Sequence, residues 1–241
     1  MSESDAVLER HEPPTYGGLF ERELLVPILT GVGLLGLNIV LMVAVALTPL
    51  AGVTLWLYGG APFAPITGLI VFGAALTGGR WLGLSGLTNG NGLLAIVGIV
   101  LSQATYGLFG GGILSVFPND IWVPAIGITT VVTLAITAVC ALAVYKTDVN
   151  FAFAGTVSFV LLAGGSALIG VGFFFGGGIL YMIGFAAFLI GFVADLLYEI
   201  WRASVSGRSP LANGFAIYIA AAGVFVHVLQ IVLELLSYLD N

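Results

Sequence analysis

The chain has 241 residues, 59% of them hydrophobic and only 7% charged, whereas soluble domains are about 45–50% apolar. Six Lys and Arg stand against twelve Asp and Glu, a net charge of −6. This excludes both the polar coat of a soluble domain and the basic surface a nucleic-acid-binding protein needs. A mean hydropathy of +1.14 and recurring apolar runs of eighteen or more residues point to an all-α integral membrane protein.

The first 23 residues, "MSESDAVLERHEPPTYGGLFERE", are acidic and predict a short solvated cytoplasmic tail. They lack the positive n-region of a cleavable leader, so the first span is expected to be a signal-anchor. Seven spans follow, at about 24–47, 62–79, 92–116, 122–145, 150–174, 177–201 and 214–237. They form one membrane domain, 24–241, a seven-transmembrane-helix bundle. The second is the shortest, and the others are long enough to cross a hydrocarbon core of ~30 Å at 1.5 Å per residue. Pro, Gly, Asn and Asp mark the breaks, in "PND" (118–120), "KTDVN" (146–150), "FGGG" (175–178) and "SGRSPLANG" (206–214). The 35 glycines suit close helix packing in lipid.

All six basic residues, Arg10, Arg22, Arg80, Lys146, Arg202 and Arg208, fall on one side of a seven-span chain. Basic flanks stay cytoplasmic, so the expected orientation has the N-terminus inside and the C-terminus outside. An acidic pI near 4.6 with a single lysine suits a high-salt cytoplasm, and the expected location is a prokaryotic cell membrane.

Several chemistries are excluded by residue inventory. The only lysine, Lys146, lies in a loop, so a retinal Schiff base in the last helix is not available. "GLSG" (83–86) has the form used by intramembrane serine proteases. Its Ser85 lies near one membrane face, however, and His227 sits past the midplane of the last span, roughly 15 Å or more away along the axis. There is no H-E-x-x-H zinc motif and no phosphate-binding G-x-x-x-x-G-K-[ST] loop. "FFFGGG" (173–178) reads as a turn, and the lone Cys140 as a small packing residue. No enzyme activity, cofactor or metal site is expected.

What remains is the set of polar groups inside spans: Asn38, Arg80, Gln103, Asp195, Glu199, His227, Gln230 and Glu234. Ionisable groups in a membrane are expensive and usually face the bundle interior. Arg202 marks the cytoplasmic edge of the sixth span, with Glu199 and Asp195 about 5 and 10 Å below it on one face. Two carboxylates so close in low dielectric do not ionise independently and should titrate as a coupled pair. Asp195 and Glu199 are therefore the candidate gate, and Arg80 and Arg202 the candidate counter-charges. A Glu199–Arg202 interfacial salt bridge is the structural alternative. His227 and Gln230 are expected to hydrogen-bond between helices, Glu234 to snorkel to the surface, and Asn38 and Gln103 to be packing contacts.

The C-terminal stretch "LLYEIWRASVSGRSPLANGFAIYIAAAGVFVHVLQIVLELL" resembles the transmembrane Bax inhibitor motif family, the Bax-inhibitor-like proteins. Leu197-Tyr198-Glu199 is similar to the end of that family's sixth span. Ala216-Ile217-Tyr218-Ile219 and Val228-Leu229-Gln230-Ile231 are similar to elements of its seventh. Upstream, "QATYGLFGGGIL" (103–114) and "AITAVCALAVYKTDVNFAFAG" (135–155) look like its third span and its fourth-to-fifth connection, so the resemblance covers roughly 92–237. It implies a pH-sensitive calcium leak controlled by two acids that share a proton, one on span six and one on span seven. The first falls on Glu199. The second falls on Ala220, and the family's span-seven Asn on Gly223, so the chain departs from the pattern at the pair itself. Asp195, one turn from Glu199, is the expected replacement partner, with Arg80 in the place of the family's latching base. Two functions stay open: a pH-modulated cation (calcium) leak, or a non-conducting membrane scaffold that binds proteins or lipids. The expected partners are the bilayer and calcium ions or protons, not nucleic acid.

Overall fold

The structure is a computed structural model that describes residues 22–59 and 64–239; the acidic tail with Arg10 lies outside the described residues. Among the described residues eight helices follow one another: α1 (Arg22–Ala46), α2 (Leu50–Gly59), α3 (Ala64–Thr88), α4 (Gly92–Val116), α5 (Trp122–Lys146), α6 (Ala152–Phe174), α7 (Gly178–Val205) and α8 (Pro210–Leu239). No strand occurs among the described residues. A 3₁₀ turn, Asn119–Ile121, leads into α5.

Local chemistry sets the breaks. Gly90 takes φ +71° between α3 and α4, a left-handed conformation open to glycine without strain. Asn91 then caps α4, its side chain accepting from the Leu94 amide at 3.1 Å. Gly176, at φ +63°, makes the turn expected of "FFFGGG". Ser209 sits ahead of Pro210, and its Oγ accepts from the Ala212 amide at 3.3 Å to start α8.

Among the described residues six segments are long and apolar enough to cross a membrane: Leu24–Ala46, Gly92–Val116, Asn119–Lys146, Ala152–Phe174, Gly178–Val205 and Pro210–Leu239. The expected second span differs. Its helix, α3, has 25 residues, a length of about 37 Å, but Arg80 and its Gly and Thr neighbours dilute its apolarity. Ser85 lies within this helix, close to its C-terminal end. The ten-residue α2 was not expected, because it falls between the first two expected spans and is too short to cross a bilayer. At about 15 Å it covers half a bilayer. It docks on α4 through the buried Thr54, whose hydroxyl donates to the Leu108 carbonyl at 2.8 Å.

Glycines set the helix neighbours. A Cβ on Gly98 would run into the backbone of Gly83, and one on Gly86 into Ala95, so α3 and α4 touch backbone to backbone in antiparallel array. Gly165 opposes Gly184, and Gly172 opposes Tyr181, which pairs α6 with α7 in the same way. Leu41 and Met42 of α1 meet Gly107 and Gly110 of α4, a parallel pairing. Without a hydrophobic drive between helices in lipid, such close van der Waals contact supplies much of the cohesion.

α8 stands at the centre. Every residue from Ala212 to Leu229 is buried, packed by α1, α3, α4, α5 and α7, as its all-round apolar sequence requires. The outer helices instead turn residues such as Leu29, Ile70, Val131 and Phe159 outward, where lipid would cover them. The alternating helix directions collect Arg80, Lys146, Arg202 and Arg208 toward one end of the bundle. Asp120 and Glu234 lie at the other.

Candidate functional site

The site is built on α3 and α7. Gly79 turns toward α4, where a Cβ would meet Ser102 at 2.6 Å. The next residue, Arg80, projects a further ~100° round the helix and reaches α7. Asp195 and Glu199, one turn apart on α7, face inward at 6% and 2% exposure.

Arg80 joins both acids. Its Nη1 lies 2.8 Å from Asp195 Oδ2 and its Nη2 3.4 Å from Oδ1, a forked arrangement suited to a planar guanidinium. The same Nη2 donates to Glu199 Oε1. These are the ion pairs found among the described residues. The two carboxylates are thus bridged through a cation rather than through a shared proton between them.

Arg202 does not take the contact role expected of a counter-charge. Its guanidinium lies 5.6 Å from the Tyr198 ring centroid, in a cation–π arrangement, so the Glu199–Arg202 salt bridge does not form. The i, i+3 spacing permits that pair, but Glu199 is turned inward onto Arg80. Arg202 and Arg208 act on Glu199 only through space. Ala220, where the resembling family keeps its second acid, is fully buried. Gly223 faces Phe192 so closely that no side chain fits there.

A cavity of about 770 Å³ opens beside Arg80 and Asp195, lined by Thr77, Ser158, Tyr198 and Phe192 among others. It exists because α6 packs on α7 and barely meets α3. Toward the opposite end lies a second cavity of about 550 Å³ that reaches His227, Gln230 and Glu234. Leu69, Phe72 and Phe188 wall both, so an apolar neck of three side chains divides them.

His227 and Gln230 bond within α8 rather than between helices. His227 Nδ1 lies 2.7 Å from the Gly223 carbonyl of its own helix, and its ring packs against Phe185, Phe188 and Phe192 at 5.2, 5.2 and 5.3 Å between centroids. Gln230 Nε2 donates to Glu234 Oε1 at 3.1 Å. Asn38 and Gln103, expected to be packing contacts, instead hydrogen-bond between α1 and α4. Asn38 Nδ2 donates to both the backbone and side-chain oxygens of Gln103 at 2.9 Å, and Gln103 Nε2 returns a bond to the Leu34 carbonyl at 2.9 Å.

No protein-family model, curated protein or solved structure matches the chain. Among the described residues no group of three or more His, Cys, Asp or Glu could hold a metal.

Sequence reasoning did not anticipate the phenylalanine ring around His227, because Phe185, Phe188 and Phe192 look like ordinary apolar filling in a span. Nor did it find Tyr106, fully buried with its hydroxyl donating to the Ile219 carbonyl at 2.9 Å. A signal for Arg80 did exist. "TGGRWLG" (77–83) sets an arginine among glycines, the pattern of a helix face pressed against its neighbours.

Proposed function

We propose that this is a seven-crossing membrane protein, N-terminus cytoplasmic, in which Arg80, Asp195 and Glu199 form a charge latch on a cation pathway that leaks calcium in response to pH. α3 is the seventh crossing. Pathway and latch share the cavity between α3, α6 and α7. Ions enter beside Arg80, pass the neck at Leu69, Phe72 and Phe188, and reach the acidic end at Glu234. The resemblance to Bax-inhibitor-like proteins agrees with this reading. It places a carboxylate at Glu199, and Asp195 serves as the second acid.

The observation that carries the proposal is the bridging of two buried carboxylates by one arginine at the wall of a 770 Å³ cavity. Buried charges of this kind are costly in a membrane and mark ion or proton routes. Protonation of either acid removes one of the charge-assisted bonds that tie α3 to α7. The leak therefore rises as pH falls.

The test is calcium flux into liposomes carrying the purified protein, from pH 5 to 8. Wild type is expected to leak more at the acid end. The Asp195→Asn, Glu199→Gln double variant is expected to leak without pH dependence. A double variant that reproduces the wild-type profile would falsify the latch. No flux above protein-free vesicles at any pH would identify a non-conducting scaffold instead.

A further inference from the structure

The second cavity, where the proposed pathway ends at Glu234, carries a chemistry beyond the passage of cations. Its walls are aromatic: Phe72, Phe109, Phe117, Phe173, Phe185 and Phe188 all line it. At about 550 Å³ it has the size of a small-ligand pocket. Its one formal charge is the carboxylate of Glu234, and no Lys or Arg lines it.

The polar groups at its rim and base are biased toward accepting. The Gly223 carbonyl can only accept, so His227 Nδ1 carries the proton of that bond. Nε2 of the neutral ring is then left as a bare acceptor at the deep end. At the mouth Gln230 spends an N–H on Glu234, which holds the exposed carboxylate over the opening and leaves the amide oxygen free. Thr54 has already given its hydroxyl proton to Leu108. A carboxylate or phosphate ligand would find no cation here. A positive head would find a carboxylate and the negative faces of several aromatic rings.

We propose that this cavity binds a hydrophobic amine in its ammonium form. The head pairs with Glu234 at the mouth, and the apolar body lies among the phenylalanines. Glu234 and His227 are two turns apart on α8, about 10 Å, which sets the length of body the cavity takes. The surroundings favour the same charge. Among the described residues this end of the bundle presents Asp120 and Glu234 and no basic group. The inference shares this cavity and Glu234 with the proposed pathway but not Arg80 or the α7 acids, and its test reads binding rather than flux, so either can fail without the other.

The test uses energy transfer from the protein's tryptophans to a pyrene probe in neutral phospholipid vesicles. Three probes are compared: 1-aminomethylpyrene, the uncharged 1-pyrenemethanol and 1-pyrenecarboxylate. The amine is expected to give saturable transfer that unlabelled phenethylamine competes away, while the other two only partition into lipid. Glu234→Gln is expected to weaken the amine at least tenfold with an unchanged unfolding midpoint, because Glu234 is exposed. Gln230→Leu, which frees the carboxylate, should weaken it less. Equal saturable binding of amine and alcohol would identify an acyl-chain groove and overturn the proposal. So would an amine affinity untouched by Glu234→Gln.

Discussion

Arg80 and Asp195, 115 positions apart in sequence, meet across α3 and α7 with Nη1 2.8 Å from Oδ2. The contact is part of a triad with two negative groups and one positive one, so the arginine is the member that neither acid can lose. A buried pair stripped of one partner typically loses about 3–5 kcal/mol. Arg80→Met is expected to destabilise by roughly that amount, read as a lowered unfolding temperature in detergent. Adding Asp195→Leu and Glu199→Leu to the same chain should recover most of the loss. A single variant as stable as wild type would show that the triad does not hold α3 to α7.

Lysine is not an adequate substitute at this position. Its ammonium is a point charge without the planar fork that meets two carboxylates at once. Arg80→Lys should fall between wild type and Arg80→Met in stability. In the flux assay it should shift the pH profile rather than abolish it.

The contact between α1 and α4 rests on Asn38 and Gln103, both buried. Asn38→Leu keeps the volume but leaves the Gln103 side-chain oxygen without its donor. Interhelical hydrogen bonds in membranes are worth about 0.6–2 kcal/mol, and the loss should lie in that range. Asn38→Leu with Gln103→Leu should be closer to wild type than Asn38→Leu alone, since no polar group is then orphaned. Unfolding of the four chains of this double-mutant cycle checks it.

Gly33 and Gly98 separate backbone propensity from packing. Nothing lies within 4 Å of a Cβ built on Gly33, so Gly33→Ala should be neutral or stabilising by up to about 1 kcal/mol. A Cβ on Gly98 would meet backbone atoms of Gly83, which cannot move aside as a side chain can. Gly98→Ala should force α3 from α4 and lower the unfolding temperature. If the two alanines behave alike, the α3–α4 contact is not as close as described.

Cys140 is the only cysteine and is buried, so Cys140→Ser gives a background for topology mapping. Single cysteines at Asp148 and Gly207 should react with an impermeant maleimide from the cytoplasmic side only. A cysteine at Asn119 should react from the opposite side only. Asp148 and Gly207 labelling from different sides would break the seven-crossing arrangement.

The sequence makes the helices of the bundle readable because lipid demands long apolar runs and because Gly, Pro and Asn interrupt them. Asp195 and Glu199 stand out for the same reason, as charge where charge is costly. Their attachment to Arg80 was legible only as a possibility, since a distance across 115 positions depends on how α3 seats against α4. The inward turn of Glu199 is likewise a tertiary choice that the i, i+3 spacing to Arg202 does not reveal. α2 was hidden because its ten residues, between Pro49 and Pro62, are too short for a span and carry no polar periodicity that marks a helix. His227 and Gln230 bond to their own helix because α8 is enclosed by apolar walls, and hydropathy alone does not distinguish an enclosed helix from a lipid-facing one.

The position of α8 imposes an order on biogenesis. A chain emerges at about 5–20 residues per second, and α8 leaves the ribosome after the other seven described helices, of which α1, α3, α4, α5 and α7 finally pack round it. Those helices must wait as a loose ring or as separate pairs, α3 with α4 and α6 with α7, with an unfilled axis. The closing event is the entry of one apolar rod into the middle of an assembly already in the bilayer. Until then Arg80 and the two acids have their partners but no floor, so a stalled chain would present lipid with an unsealed polar seam.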